Sequence, residues 1–136
     1  MDIRKRKIGD TEINPVGLGC MNMTPSYGPG LKKSDALNLL SKAIDLGYDF
    51  FDTATIYGLG ENEKLVGEAL KSNRDSVLLA SKCVLGFADG KRFLDGRPST
   101  IKTACEASLK RLQTEVIDLY YMHRPDPKVP IEESVG

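Results

Sequence analysis

Four side chains able to perform acid–base chemistry lie at the ends of short apolar runs. Asp52 ends the first run and Tyr57 follows five residues later, while Lys82 and His123 directly follow two later runs. His123 is the single histidine of the chain. In a parallel β/α sheet the carboxyl ends of the strands form one rim, where such folds place their chemistry. The sequence therefore predicts that the four residues form one site.

The four residue types suit proton transfer to a carbonyl oxygen. A phenol, with a reference pKa of about 10, donates a proton poorly at neutral pH. A lysine ammonium about 4 Å away, at an effective dielectric constant of about 20, would stabilise the phenolate by roughly 4 kcal/mol. Lys82 would thereby make Tyr57 a useful general acid, with Asp52 keeping Lys82 protonated and aimed while partly cancelling its field. His123 would orient a carbonyl oxygen or assist the proton transfer.

Each of these residues alone also has an ordinary structural explanation. Asp52 could cap a strand end, Lys82 could be a solvated strand terminus, and His123 could be a hydrogen-bonded rim residue. Tyr57 could be a half-buried loop aromatic. The presence of all four on three consecutive strand ends favours a functional site.

The elements that carry these residues alternate between strand and helix. Strands at Ile3–Ile8 and Thr11–Pro15 are predicted to form a hairpin across Gly9-Asp10. The sheet strands that follow are Val16–Met21, Phe50–Asp52, Val77–Ser81 and Val116–Met122. Three helices separate them, and a fourth helix opens at Ile131. This β-α-β order predicts right-handed units in a parallel sheet.

Helix boundaries are predicted from cap residues. Ser34 and Ser99 are the expected N-caps of the first and third helices, and Gly47 is placed to end the first. The second helix is expected near Asn62–Lys71. The glycine-rich, charged stretch 86–98 is predicted to be a loop.

Composition excludes several classes of function. Nineteen basic and nineteen acidic residues leave no net charge over 136 residues, which gives no general attraction to nucleic acid. The basic run Arg4–Lys7 is interpreted as a solvated strand edge rather than a binding patch. No apolar run approaches the roughly 18 residues of a membrane span.

Cysteine usage indicates a reducing compartment. Cys20, Cys83 and Cys105 are odd in number and form no C-x-x-C pair, so reduced thiols in a cytoplasmic protein are expected. Cys83, beside Lys82, could be a reactive thiolate. A small buried hydrophobe is the favoured interpretation.

Other catalytic patterns fit poorly. Gly17 and Gly19 begin a dinucleotide-binding pattern, but Asn22 stands at the third glycine position and no helix is predicted to start there. One histidine and no clustered cysteines argue against a metal site, and no metal is predicted. A G-x-S-x-G turn for a serine nucleophile is absent.

Two stretches give the chain a family resemblance: F-F-D-T-A-T-I-Y-G at 50–58 and I-D-L-Y-Y-M-H-R-P at 117–125. Together with the segments 16–21, 60–63 and 104–112 and the strand into Lys82, they run nearly end to end. The chain resembles the aldo-keto reductases, which are NADPH-dependent carbonyl reductases on a (β/α)8 TIM-type barrel. It is most similar to bacterial and plant reductases near the potassium-channel β-subunit branch.

The resemblance implies hydride transfer from the nicotinamide of NADPH to an aldehyde or ketone, leaving NADP+. Tyr57 would donate the proton, and Asp52 and Lys82 would adjust the acidity of its hydroxyl. His123 would position the small carbonyl substrate. It further implies nicotinamide contacts at Gly19, Cys20 and Met21, and also at Asp52.

Length sets the chain apart from the family, whose barrels ordinarily need about 250 residues. Residues 1–136 are therefore expected to form the N-terminal half of a barrel, an α/β half-barrel with a hairpin at about 3–15 and β/α units at about 16–136. The cofactor's carboxamide, pyrophosphate and 2′-phosphate would be held by the other half.

Two functions follow from this half-barrel. One is NADPH-dependent carbonyl reduction by the intact protein. The alternative is a truncated, non-catalytic half-barrel that self-associates or binds a partner through its open strand edges. In one form of it, two copies would complete each other's barrels.

Overall fold

A parallel sheet of four strands with helices packed against one face makes up most of the fold. The computed structural model describes residues 4–26 and 28–136. Its strands are β1 (Arg6–Ile8), β2 (Thr11–Ile13), β3 (Leu18–Gly19), β4 (Phe50–Asp52), β5 (Leu78–Cys83), β6 (Leu85–Ala88), β7 (Lys91–Leu94) and β8 (Leu119–Met122). The α-helices are α1 (Lys33–Asp45), α2 (Glu61–Leu70), α3 (Pro98–Leu112) and α4 (Ile131–Val135).

The main sheet has the strand order β3-β4-β5-β8, and all its pairs are parallel. Sequential strands are neighbours, as the β-α-β order predicts. β1 and β2 form a separate antiparallel hairpin. The exposed run Arg4–Lys7 leads into β1, in agreement with the strand-edge interpretation. Ile3 of the predicted first strand lies outside the described residues.

The core lies between the sheet and the helices. Phe51 of β4 and Leu79 of β5 are fully buried on the face that meets α1 and α2. Leu40 of α1 and Val66 of α2 complete this layer at zero exposure. Because side chains alternate along a strand, residues one position away point to the opposite face. That opposite face carries Asp52 and Lys82.

α2 and α3 cross at very short distance because Gly67 lies at the crossing. A Cβ on Gly67 would run into the backbone of Leu112. Leu112 is itself only 2% exposed. Glycine is therefore required for close approach of the two helices that flank the site from behind.

Both predicted serine N-caps are wrong. α1 begins at Lys33, after the N-cap Lys32, whose carbonyl oxygen accepts the first helical hydrogen bonds, so that Ser34 lies within the helix. α3 begins at Pro98, because proline is preorganised for the first helical position, and Ser99 follows it. Gly47 follows α1 with φ of +89° and ends it as predicted.

The stretch 86–98 is largely a hairpin, not the predicted loop. β6 and β7 pair antiparallel across Asp89-Gly90, where both residues have positive φ. This is the geometry of a type I′ turn, which Asp-Gly favours.

Strand lengths also differ from the prediction. β3 and β8 are shorter, and β5 continues through Lys82 to Cys83. No helix in the described part of the chain is long and apolar enough to cross a membrane.

Candidate active site

Lys82 lies at the centre of the predicted cluster. Its ammonium donates hydrogen bonds to the Asp52 carboxylate, to the Thr53 carbonyl oxygen at 2.9 Å and to the Tyr57 hydroxyl at 3.4 Å. The Lys82 side chain is 15% exposed and that of Asp52 is 31% exposed. The ion pair is thus partly shielded from water. Shielded charges interact more strongly than charges on an open surface.

His123 completes the cluster through Tyr57. The two rings meet edge to face, with centroids 5.7 Å apart and an interplanar angle of 89°. The Lys82 Nζ atom also lies 5.1 Å from the centre of the Tyr57 ring. The structure therefore brings all four predicted residues together.

Strand register explains this convergence. Asp52 pairs with Ala80, and Lys82, two residues further along β5, points to the same face of the sheet. Lys82 pairs with Tyr121 of β8, and His123 lies two residues beyond Tyr121. The His123 backbone amide also bonds to the Cys83 carbonyl oxygen at 3.0 Å, which continues the sheet to the rim.

A left-handed turn holds Tyr57 at the rim. Gly58, Leu59 and Gly60 all have positive φ and connect Tyr57 to α2. A Cβ on Gly58 would approach the Thr24 side chain to 2.9 Å, and one on Gly60 would approach Arg111 to 2.8 Å. Both glycines are therefore required by backbone conformation and by space.

The segment after β3 lies beside Asp52. Gly19 pairs with Asp52, and the Cys20 amide donates to the Asp52 carbonyl oxygen at 2.8 Å. Gly19 is exposed, and a Cβ there would meet nothing within 4 Å. The Cys20 side chain is fully buried, so only its backbone is available to a ligand on the rim. Met21 is partly exposed.

Asn62 connects the segment after β3 to Thr53, the residue that follows β4. Its side-chain amide donates to the Cys20 carbonyl oxygen at 2.8 Å and to the Thr24 hydroxyl at 3.0 Å. Its amide oxygen accepts from the Thr53 hydroxyl at 2.7 Å. Asn62 has zero exposure. The sequence placed it at the start of a helix and within the family-like segment 60–63, but its buried hydrogen-bonding role was missed.

An ion pair between the fully buried Glu63 and the partly exposed Arg111 supports the same region from the helix side of the sheet. Glu63 has zero exposure and accepts hydrogen bonds from Ser81 Oγ and from Arg111 Nε, each at 2.6 Å. The Arg111 guanidinium continues to Ser108 Oγ at 3.1 Å and to Thr55 Oγ1 at 3.4 Å. Ser81 precedes Lys82 and Thr55 precedes Tyr57 by two residues. The pair therefore supports both segments that carry the phenol and the ammonium.

Burial lowers the pKa of His123 below its ordinary value of 6.5. The positive charges of Lys82, Arg124 and Arg92 act in the same direction, and Asp52 opposes them. This environment therefore favours the uncharged imidazole. Its Nδ1 atom is buried and has no hydrogen-bond partner in the described part of the chain.

Cys20 and Cys83 are buried thiols, and Cys105 is half-buried. Burial raises the pKa of Cys20 to about 12 and also raises the pKa values of Cys83 and Cys105. Cys83 is 3% exposed. This environment favours a small buried hydrophobe over a reactive thiolate at Cys83. Among residues 4–26 and 28–136, no group of three or more His, Cys, Asp or Glu residues could hold a metal ion.

Comparison with known proteins identifies the family. The family model "Aldo/keto reductase family" matches residues 15–136. A probable aldo-keto reductase 1 from Glycine max is 44% identical over 129 residues, covering 92% of this chain and 37% of the relative. The chain therefore belongs to the aldo/keto reductase family, as its resemblance implied.

Solved structures confirm the barrel type of the fold. An aldo-keto reductase from Bacillus halodurans in its holo form superposes with a TM-score of 0.87 at 36% identity, covering 98% of this chain and 44% of that one. An aldo-keto reductase from Klebsiella pneumoniae in complex with NADPH gives a TM-score of 0.78 at 30% identity, covering 99% and 44%. The chain thus spans about two fifths of the length of these relatives and forms part of a (β/α)8-type barrel.

Glu63 provides a test of the buried ion pair. Glu63→Ala should lower the free energy of unfolding by about 2–3 kcal/mol, because it leaves the partly buried Arg111 charge and the Ser81 hydroxyl without their carboxylate partner. Glu61→Ala is the matched control on the same turn. Its ion pair with Lys64 is exposed, and its removal should change stability by at most about 1 kcal/mol. Urea denaturation of both variants measures the difference, and equal losses would contradict the bracing role of Glu63.

The His123 environment predicts a pH dependence. The NMR titration of the single imidazole should have its midpoint below 6.5. The unfolded chain then binds a proton more readily than the folded chain, so the free energy of unfolding should fall as pH drops from about 6.5 toward the folded-state pKa. His123→Gln should remove this fall in the free energy of unfolding between pH 6.5 and the folded-state pKa of His123. A midpoint above 6.5 would refute the assignment.

Proposed function

We propose that this chain supplies the proton-transfer residues for NADPH-dependent reduction of aldehydes and ketones to alcohols. The observation that carries the proposal is the contact of one ammonium, that of Lys82, with both the Asp52 carboxylate and the Tyr57 hydroxyl. Membership of the aldo/keto reductase family supports it. Because the chain spans about two fifths of its relatives, the reaction is proposed for the whole protein.

When bound, NADPH would supply the hydride for the carbonyl carbon and would leave as NADP+. Tyr57 donates its hydroxyl proton to the carbonyl oxygen, and the Lys82 ammonium stabilises the phenolate that remains. Asp52 accepts a hydrogen bond from the ammonium and so directs it at Tyr57. His123, uncharged at neutral pH, donates a hydrogen bond that orients the carbonyl oxygen.

The segment after β3 fits the nicotinamide end of the cofactor. Open space above Gly19, beside Asp52, allows a flat ring to approach the backbone. We assign these nicotinamide contacts to Gly19, Met21, Asp52 and the backbone of Cys20. The Klebsiella pneumoniae relative in complex with NADPH supports this choice of cofactor. We also propose a cytoplasmic location, because the three cysteines are free.

Tyr57→Phe tests the proton donor directly. Reduction of 4-nitrobenzaldehyde, followed by loss of NADPH absorbance, should fall by at least about 100-fold because the general acid is removed. Tyr48→Phe is the control, since Tyr48 packs against the core and not at the rim. Fluorescence titration with NADPH checks that both variants keep equal cofactor affinity. Turnover unchanged in Tyr57→Phe would exclude this role.

The open sheet edges favour a second candidate function, a non-catalytic half-barrel that self-associates. Within the described residues β3 pairs only with β4, and β8 pairs only with β5. Tyr121 of β8 is 38% exposed on the face that carries Lys82. Unpaired strand edges and exposed apolar side chains are ordinary sites of association.

Light scattering coupled to size-exclusion chromatography separates the two functions. Self-association through these edges predicts a dimer that dissociates only as the chain unfolds, and no carbonyl turnover. A folded monomer that reduces carbonyl compounds would exclude this second candidate.

A further inference from the structure

The β6–β7 hairpin leaves the sheet directly beside the candidate active site. It begins two residues after Cys83, the last residue of β5. Val84 joins them with φ of +74° and is 6% exposed. A β-branched residue in this conformation is strained, and such strain persists only where the surroundings enforce it, often at functional sites. The Asp95 amide closes the base of the hairpin on the Val84 carbonyl oxygen at 3.0 Å.

A buried carboxylate fixes the hairpin to the segment after β8. Asp126 is 6% exposed and accepts hydrogen bonds from the Gly96 amide at 2.9 Å and from the Lys128 amide at 3.0 Å. Ser134 Oγ donates to the Gly96 carbonyl oxygen at 2.8 Å. The two segments are therefore held together at their bases, one leading from Lys82 and the other from His123.

Between the two segments lies a cavity of about 480 Å³, a volume typical of small-molecule sites. Its apolar wall includes Phe93, whose ring lies across Gly86 so closely that a Cβ there would collide with it. Phe93 is 46% exposed although its position is fixed by this packing. An exposed, immobilised aromatic ring suits contact with an apolar ligand.

The polar lining of the cavity is positively charged. It comprises Arg92, Arg124 and Lys128, with Asp126 as the one acidic residue. None of the three cations forms an ion pair with another residue in the described ranges. Both Asp126 oxygens already accept backbone amides. The cavity therefore holds three cations against one carboxylate, and neither arginine has an ion-pair partner within the described ranges.

This positive charge reaches the candidate active site. Arg124 follows His123 directly, and the charges of Arg124 and Arg92 both act on the His123 imidazole. Arg124 lines the cavity, and its chain neighbour His123 is the residue assigned to orient the carbonyl group, so the cavity adjoins the rim through this one peptide link. Paired guanidinium groups bind carboxylate and phosphate through charge-assisted hydrogen bonds.

We propose that the cavity between the β6–β7 hairpin and the segment after His123 is a subsite for an anionic group of the carbonyl substrate. Arg92 and Arg124 bind the anion, and Phe93 contacts the carbon skeleton that separates it from the carbonyl. The preferred substrates are then aldehydes and ketones that carry a carboxylate or a phosphate. This inference rests on the proposed reduction and adds a substrate class to it.

Binding to the 136-residue chain tests the subsite without cofactor or turnover. The probe is 4-acetylbenzoate, a ketone acid, and its methyl ester is the matched neutral probe. NMR titration should show the acid binding about fivefold or more tightly than the ester, with shifts at Arg92, Arg124 and His123. The difference should shrink at high salt, because exposed charges are screened. The ketone 4-acetylphenyl phosphate shows whether carboxylate or phosphate is preferred.

Variants assign the effect to the named residues. Arg92→Gln and Arg124→Gln should each remove most of the preference for the acid while leaving ester binding unchanged. Lys91→Gln is the matched control, since Lys91 neighbours Arg92 on β7 and does not line the cavity. Equal affinity for acid and ester, or an acid preference that survives both arginine variants, would overturn the subsite. Shifts confined to residues away from His123 would also overturn it.

Failure of the subsite and failure of the proposed function give different results. Tyr57→Phe should keep the preference for 4-acetylbenzoate over its methyl ester, because the phenol contacts the carbonyl that both probes share and not the anionic group. Carbonyl turnover with no preference for anionic substrates would remove the subsite alone. Arginine-dependent binding of the acid with turnover unaffected by Tyr57→Phe would remove the proposed proton donor alone.

Discussion

The contact between the Lys82 ammonium and the Asp52 carboxylate is the interaction around which the site is arranged. A side chain that lies near the end of β5 can reach Asp52 only if the two strands are parallel and in the observed register. A shift of one residue would turn Lys82 toward the helices and leave a charge in the apolar layer. The register that packs Phe51 against Leu79 is therefore the same register that forms the ion pair.

The first turn of α2 supports the site from the opposite face of the sheet. Asn62 holds the segment after β3 to Thr53, and Glu63 reaches Ser81 and, through Arg111, Thr55. Burying such groups gives little net stability, because desolvation offsets the attraction. Their satisfied hydrogen bonds instead fix a single arrangement of the loops that hold Asp52 and Tyr57.

The strand ends were predictable because apolar runs followed by isolated polar residues are visible in the sequence. These run ends located Asp52, Tyr57, Lys82 and His123. Asn62 and Glu63 were not recognised as buried, since polar residues in a first helical turn ordinarily face solvent. The N-cap at Ser99 was wrong because Pro98 is the first helical residue of α3, which places the N-cap at Arg97, two residues earlier. The Asp89-Gly90 turn signal was present, but surrounding charge and glycine masked the short strands beside it.

The closure of the β6–β7 hairpin at its base, by the Asp95–Val84 hydrogen bond and the pairing of Leu85 with Leu94, has a consequence for the tolerance of the chain to mutation. It brings the two ends of residues 85–94 together, so the hairpin enters and leaves the barrel at almost one point. Loops closed in this way tolerate changes in length and sequence without displacing the elements they connect. A change within the hairpin can therefore leave β5, and the position of Lys82 on it, undisturbed. The fold thereby separates the strand that positions the Lys82 ammonium from a neighbouring segment that is free to vary.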